Sequence, residues 1–306
     1  MTEKRIGFVG LGAMGRPMVT RLLAAGYEVV VSDIDEQAVQ EAAKLGAIPA
    51  SDARGVASQS EIVLCSLPTP AVVDAVALGD RGLAQGTTLK VYVDLSTTGS
   101  VVGKRVAAAL GAKDITAVDA PVSGGVTGAA AGTLAIMASG EHSAFERVKP
   151  VLEVLGKNIF YLGAEVGLGQ TAKLANNLLS ATTLAATAEV LAFAMRAGLT
   201  PQRLLEVVNA GSGRSFASEV ILPLALRDGA FNVGFRADLM HKDVKLCMSE
   251  AEALGVPLWV GSTIAQFFSY AMTQGLSGKD VSLIAKIFSG WAGVSYDTVR
   301  REDQVN

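Results

Sequence analysis

Cysteine and histidine are nearly missing from this 306-residue chain, which has two of each. Cys65 and Cys247 form no CxxC pair and cannot build a disulfide framework, which points to a reducing, cytoplasmic setting. His142 and His241 lie far apart, so neither a metal cluster nor a histidine-based triad can be built on them. Positive charge is not in excess: 26 lysines and arginines against 29 acids leave a net charge of −3. A nucleic-acid surface needs a concentrated basic stripe, so nucleic acid is excluded as a partner. Long apolar runs are also missing. The run after Lys4-Arg5 is broken by Gly7, Gly10, Gly12 and Gly15 and offers no continuous signal-peptide core. The longest uncharged helical stretch, 174–188, holds Asn176, Asn177, Ser180 and three threonines. It is expected to be a buried helix and not a membrane span.

Half of the residues are hydrophobic and 18% are charged, and the length suffices for two domains with separate cores. Short β-rich runs fill the first half: RIGFVG (5–10), YEVVVSD (27–33), EIVLCSL (61–67), LKVYVDL (89–95), ITAVDA (115–120), TLAIMASG (133–140) and NIFYLG (158–163). Alanine-rich segments such as 13–25, 36–45 and 99–110 lie between them with helical periodicity. Strands apolar on both faces and separated by helices predict a parallel sheet covered on each side, a doubly wound α/β domain. After Gly163 the pattern changes. Helices are predicted at 169–197, 201–209, 215–226, 237–254, 258–273 and 280–291, with no convincing strand. The expected division is therefore a sheet domain over 1–164 and an all-helical domain over 165–306.

Gly10-Leu11-Gly12-Ala13-Met14-Gly15 is a GxGxxG that follows a strand and opens a helix. Gly10 permits the tight turn, Gly12 the approach of backbone to a pyrophosphate, and Gly15 close helix–strand packing. A pyrophosphate there would rest on the free N–H groups of the helix start. The second strand ends in Asp33, where a carboxylate can bond ribose hydroxyls and repel a 2′-phosphate, so the expected cofactor is NAD. Asp33 could instead cap the helix beginning near Asp35. This makes the first half a Rossmann-type domain. Leu67-Pro68 and Ser96-Thr97 each follow a strand at its C-terminal end, the edge where such sheets bind ligands. Turn and cap chemistry explains these two loops about as well as cofactor contact does.

Asp119-Ala120-Pro121-Val122-Ser123-Gly124-Gly125 would set exposed backbone N–H groups beside a hydroxyl, a nest suited to a carboxylate. Farther on, Lys173 stands on the uncharged helix, with Asn176 and Asn177 three and four residues beyond. A buried lysine is costly without a partner or a task, and burial lowers its pKa toward the working range.

Taken together, these stretches resemble the β-hydroxyacid dehydrogenase family. GLGAMG, DLST, DAPVSGG, the GxGxxxKxxxN of Gly167, Gly169, Lys173 and Asn177, and Lys242-Asp243 appear in the family's order and spacing across essentially the whole chain. GSGRSF (211–216) and ADLMHKDV (237–244) are similar to the 3-hydroxyisobutyrate and 2-(hydroxymethyl)glutarate dehydrogenases, with the tartronate semialdehyde reductases slightly more distant. The resemblance implies hydride transfer between NAD and a small hydroxy acid or semialdehyde, in a cleft between the domains. It makes Lys173 the general acid/base and Asn177 the residue that orients it. Ser123, Gly124, Gly125 and Asn176 would hold substrate, Ser96 would sit at the cofactor–substrate boundary, and Lys242 would close over them. For Lys242 an ion pair with Asp238, four residues away, is the competing expectation. Arg214 and Arg236 are candidates for a second substrate carboxylate. A homo-oligomer, dimer or tetramer, is expected.

Several relatives on the same architecture fit less well. An NADP-using glyoxylate or succinic semialdehyde reductase would carry arginine where this chain has Ser32-Asp33-Ile34-Asp35. The 6-phosphogluconate dehydrogenases have a much longer helical region, and imine reductases replace the lysine. A non-catalytic nucleotide-binding adaptor would typically have lost it.

Overall fold

The computed structural model describes residues 4–296. They form two compact units that divide at Leu174/Ala175. That division lies ten residues beyond the expected 164/165, inside the long helix. The reason is local: the first turns of this helix are hydrogen-bonded to loops of the sheet.

The first unit carries nine strands: β1 (Arg5–Val9), β2 (Glu28–Ser32), β3 (Ile48–Pro49), β4 (Ile62–Cys65), β5 (Val91–Asp94), β6 (Thr116–Asp119), β7 (Val122–Ser123), β8 (Leu134–Gly140) and β9 (Gly156–Tyr161). Their helices are α1 (Gly15–Ala24), α2 (Glu36–Lys44), α3 (Ala53–Ala57), α4 (Pro70–Leu78), α5 (Ser100–Gly111), α6 (Gly125–Ala131) and α7 (His142–Leu155). The sheet order is β3-β2-β1-β4-β5-β6-β8-β7, with β9 also on β8. All pairs from β3 to β6 are parallel.

Strand alternation sorts the side chains into two cores. Ile6, Phe8, Val29, Val31, Ile62, Leu64, Val91 and Val93 face α1, α2 and α7. Val9, Val30, Val63, Cys65 and Tyr92 face α3, α4 and α5. Each such side chain, fully buried, contributes on the order of 1.5–3 kcal/mol, which is why these short apolar runs commit to the sheet's interior.

The all-parallel expectation needs correction at one edge. β8 runs antiparallel to β6 and to β7, while β9 is parallel to β8. The seven-residue α6 between β7 and β8 is too short to carry the chain back along the sheet for a parallel return.

The second unit is helical: the remainder of α8 (Leu168–Arg196), then α9 (Pro201–Ala210), α10 (Leu222–Asp228), α11 (Ala237–Ala253), α12 (Trp259–Ala271) and α13 (Ile284–Trp291). Ala181, Leu184, Ala185, Ala188, Leu191 and Ala192 recur at three- and four-residue spacing on α8 and enter this unit's core. Where one helix is expected over 215–226, a π-helical turn at Ala217–Ile221 precedes α10. By length and composition alone α8 could cross a membrane, but its buried stripe and its buried Gln170, Lys173 and Asn177 are those of a core helix.

Candidate active site

Because β1, β4, β5 and β6 are parallel, the loops after them gather at one sheet edge. The first is the glycine loop. Gly10 has φ +96°, and a Cβ there would meet the Ser66 carbonyl oxygen at 2.3 Å. A Cβ on Gly15 would strike the Gly10 carbonyl oxygen at 1.9 Å, so α1 can approach β1 only as glycine. Gly12 is different: its Cβ direction is open, which leaves the backbone approachable by a pyrophosphate. No side chain caps α1, so its first-turn N–H groups suit an anion. A cleft of ≈ 620 Å³ opens here, lined by Leu11, Gly12, Ala13, Arg16 and Asp35 among others. The residues present therefore fit a dinucleotide.

Asp33 closes this loop from β2. Its Oδ2 accepts the Leu11 N–H and its Oδ1 the Asp35 N–H at 2.8 Å. The cap of α2 is Asp35, whose carboxylate accepts the Gln37 N–H. Asp33 is thus a brace between β2 and the glycine loop, and its remaining lone pairs can meet ribose hydroxyls.

The loops after β4 and β5 are tied together. The Ser96 hydroxyl accepts the Leu67 N–H at 2.9 Å, and the Ser96 N–H donates to Asp94 Oδ1 at 2.9 Å. Ser96 is buried and turned inward, Thr97 is half-buried, and Pro68 is exposed. Beneath them lies Asp94, whose pKa burial pushes up to about 6 against the opposing hydrogen bonds of Ser96 and Thr98.

Asp119 ends β6. Its Oδ1 accepts the Ser139 hydroxyl at 2.6 Å and the Gly167 N–H at 3.1 Å; its Oδ2 accepts the Gln170 N–H at 2.9 Å. Burial raises its pKa, and these bonds oppose the rise. The start of α8 is therefore docked on the sheet by a carboxylate, three residues before Lys173. Lys173 is 8% exposed. Ser123 ends β7, and the exposed Gly124 (φ +132°) and Gly125 (φ +64°) follow as the cap and first residue of α6.

In the second unit Asn177 Nδ2 donates to Asp243 Oδ2 at 2.6 Å, and Asn176 Nδ2 donates to Asn177 Oδ1 at 3.1 Å. Asn177 is buried and Asn176 exposed. Lys242 Nζ lies 2.8 Å from Asp243 Oδ1. The expected partner of Lys242, Asp238, is instead held by Arg236 in a two-point contact of 3.1 and 2.5 Å. Arg214 faces Glu219 at 3.6 Å. Both arginines thus have a local carboxylate.

Asp94 and Asp243 fall inside the DLST and Lys242-Asp243 motifs but were given no role by sequence reasoning, and Ser139 and Gln170 were assigned none either. For Asp94 a signal was present: like β6, β5 is a short, mostly buried strand that ends in an acid. The others bond across 20 to 74 positions, a separation without any sequence period.

Two family models match. Residues 5–163 fit the NAD binding domain of 6-phosphogluconate dehydrogenase, and residues 167–288 fit the NAD-binding domain of NADP-dependent 3-hydroxyisobutyrate dehydrogenase. The chain is 37% identical to 2-(hydroxymethyl)glutarate dehydrogenase of Eubacterium barkeri, over 95% of this chain and 97% of that one. It is 38% identical to 3-hydroxyisobutyrate dehydrogenase of Pseudomonas aeruginosa, over 93% and 98%. Among solved structures, the 3-hydroxyisobutyrate dehydrogenase of Mycobacterium tuberculosis with L-serine superposes with a TM-score of 0.86 at 32% identity, over 93% and 98%. With the glycine loop, the sheet-docked lysine helix and these relatives in agreement, the chain belongs to the β-hydroxyacid dehydrogenase family of NAD(P)-dependent oxidoreductases acting on CH–OH groups.

Proposed function

We propose that this enzyme interconverts a small 3-hydroxy acid, 3-hydroxyisobutyrate or a close relative, with its semialdehyde, using NAD. The observation that carries the reading is Lys173: a buried amine on a helix docked at the ligand edge by Asp119. When bound, NAD would supply the hydride acceptor for oxidation, and NADH the donor for reduction. In oxidation Lys173 Nζ, as the neutral amine, takes the hydroxyl proton while the carbonyl forms. In reduction its ammonium returns that proton to the carbonyl oxygen. Asn177 orients the amine, being one helical turn further along α8. Ser123 and the backbone N–H groups of Gly124 and Gly125 hold the carboxylate, with Asn176 as a further polar contact, and Lys242 completes the cofactor side. The local pairing of Arg214 with Glu219 and of Arg236 with Asp238 favours a monocarboxylate over a dicarboxylate such as 2-(hydroxymethyl)glutarate.

The test compares the acid, its methyl ester and the neutral alcohol of the same shape. Loss of charge-assisted hydrogen bonds worth roughly 1.5–3 kcal/mol should cut kcat/KM about ten- to a hundredfold for the ester and alcohol. Equal rates for all three would remove the carboxylate anchor from the reading.

The second unit leaves Leu179, Val190 and Phe193 on α8 exposed, together with Trp259, Val260 and Trp291. So much exposed apolar surface supports a homodimer or tetramer. Light scattering that returns a monomer mass at micromolar concentration would overturn this.

A further inference from the structure

Gln170 is fully buried, and its side chain is engaged on both faces. Its Oε1 accepts the N–H of Thr98 at 2.9 Å and of Gly99 at 3.2 Å. Its Nε2 donates to the Ser96 carbonyl at 3.0 Å. Its own backbone N–H is the one held by Asp119. One side chain therefore closes the loop after β5 onto α8, in the turn that carries Lys173. The Ser96 hydroxyl continues the connection to Leu67. Two of the four loops at the ligand edge thus lie on a single run of hydrogen bonds inside the first unit, anchored in the turn of α8 that carries Lys173.

We propose that Gln170 is a positioning residue for proton transfer, fixing Lys173 relative to the Ser96–Gly99 loop and so to the nucleotide edge. The assignment rests on the reading of Lys173 given above. Only a primary amide satisfies all three contacts, because the site needs an acceptor for two N–H groups and a donor for one carbonyl. Glutamate would set a second oxygen against the Ser96 carbonyl, and methionine would leave all three groups without a partner.

The experiment uses the full chain with Gln170→Met, Gln170→Glu and, as reference, Lys173→Ala. It measures kcat, KM, the solvent isotope effect on kcat and NAD affinity by calorimetry. A misplacement of the amine by about an ångström is enough to lower kcat roughly ten- to a hundredfold. Gln170→Met should show that loss with a larger solvent isotope effect, while NAD affinity and KM stay within about threefold of wild type. Gln170→Glu, which keeps the Thr98 and Gly99 contacts, should fall between the two and carries the test if the methionine variant does not fold. Wild-type kcat and isotope effect in these variants, with only thermal stability lowered, would reduce Gln170 to a structural role and overturn the proposal. If Lys173→Ala itself still turns over, the reading of Lys173 fails. If Lys173→Ala is inactive and the Gln170 variants are not, only the positioning role fails.

Discussion

Asp94 and Asp119 are register partners at the ends of β5 and β6, two buried carboxylates side by side at the ligand edge. Burial is the main cause of the rise in the Asp94 pKa from its ordinary 3.8 to about 6, and the charge of Asp119 adds to it. The folded protein therefore holds a proton on Asp94 more tightly than the unfolded chain does. Stability attached to this group is fullest in acid and falls as pH rises through the interval from 3.8 to about 6. Replacing Asp94 with Asn removes that dependence. Between about pH 4.5 and pH 7.5 the variant should gain about 2 kcal/mol relative to wild type. Urea denaturation at both pH values checks this, and a constant difference would contradict it.

Lys173→Ala should lower kcat by on the order of 10²–10⁴, the scale of a lost general acid/base. NAD binding should persist, since the proposed pyrophosphate loop, residues 10–15, lies between β1 and α1 and not on α8. Steady-state rates and calorimetric NAD titration on the folded variant separate the two. Turnover within a few-fold of wild type would exclude the proposed proton transfer.

Most of the sheet was legible because seven of its strands are four to seven residues long and most of these carry several of Val, Ile and Leu. Ile48–Pro49 and Val122–Ser123 are two-residue strands and offer no alternation to read. The reversal of β8 was hidden for a related reason: strand direction depends on how far α6 carries the chain, not on the composition of β8. In the site, Lys173 stood out as a cation on an uncharged helix, and Gly10–Gly15 by spacing. The partners of these residues were not legible. Which backbone amides Asp119 accepts depends on a loop 48 positions away, and Lys242 pairs with Asp243 while Arg236 takes Asp238, a choice between neighbouring acids that spacing does not decide.

Asp243 joins Asn177 and Lys242 within the second unit. Asp243→Ala leaves the buried Asn177 amide without its acceptor and should destabilise the protein by about 1–3 kcal/mol. With Asn177→Ala already in place, the same substitution should cost much less, because the amide that needed the acceptor is gone. A double-mutant cycle by denaturation reads the coupling. Strictly additive effects would show that the 2.6 Å contact contributes nothing specific.

Asp33 has two tasks that one substitution can separate. Its carboxylate holds the Leu11 and Asp35 N–H groups, and in the proposed function its charge would also repel the 2′-phosphate of NADP. Wild-type kcat/KM should favour NAD over NADP by at least about tenfold, equivalent to roughly 1.4 kcal/mol. Asp33→Asn keeps the shape but loses the charge and one acceptor. Both cofactors should then bind more weakly, because the glycine loop has lost part of its brace. The NAD:NADP ratio should nevertheless fall toward unity, because the repulsion of the 2′-phosphate has gone. Kinetics with both cofactors on both proteins distinguish the effects. A uniform loss with an unchanged ratio would leave Asp33 only its loop-bracing role, and cofactor selection would have to come from another residue.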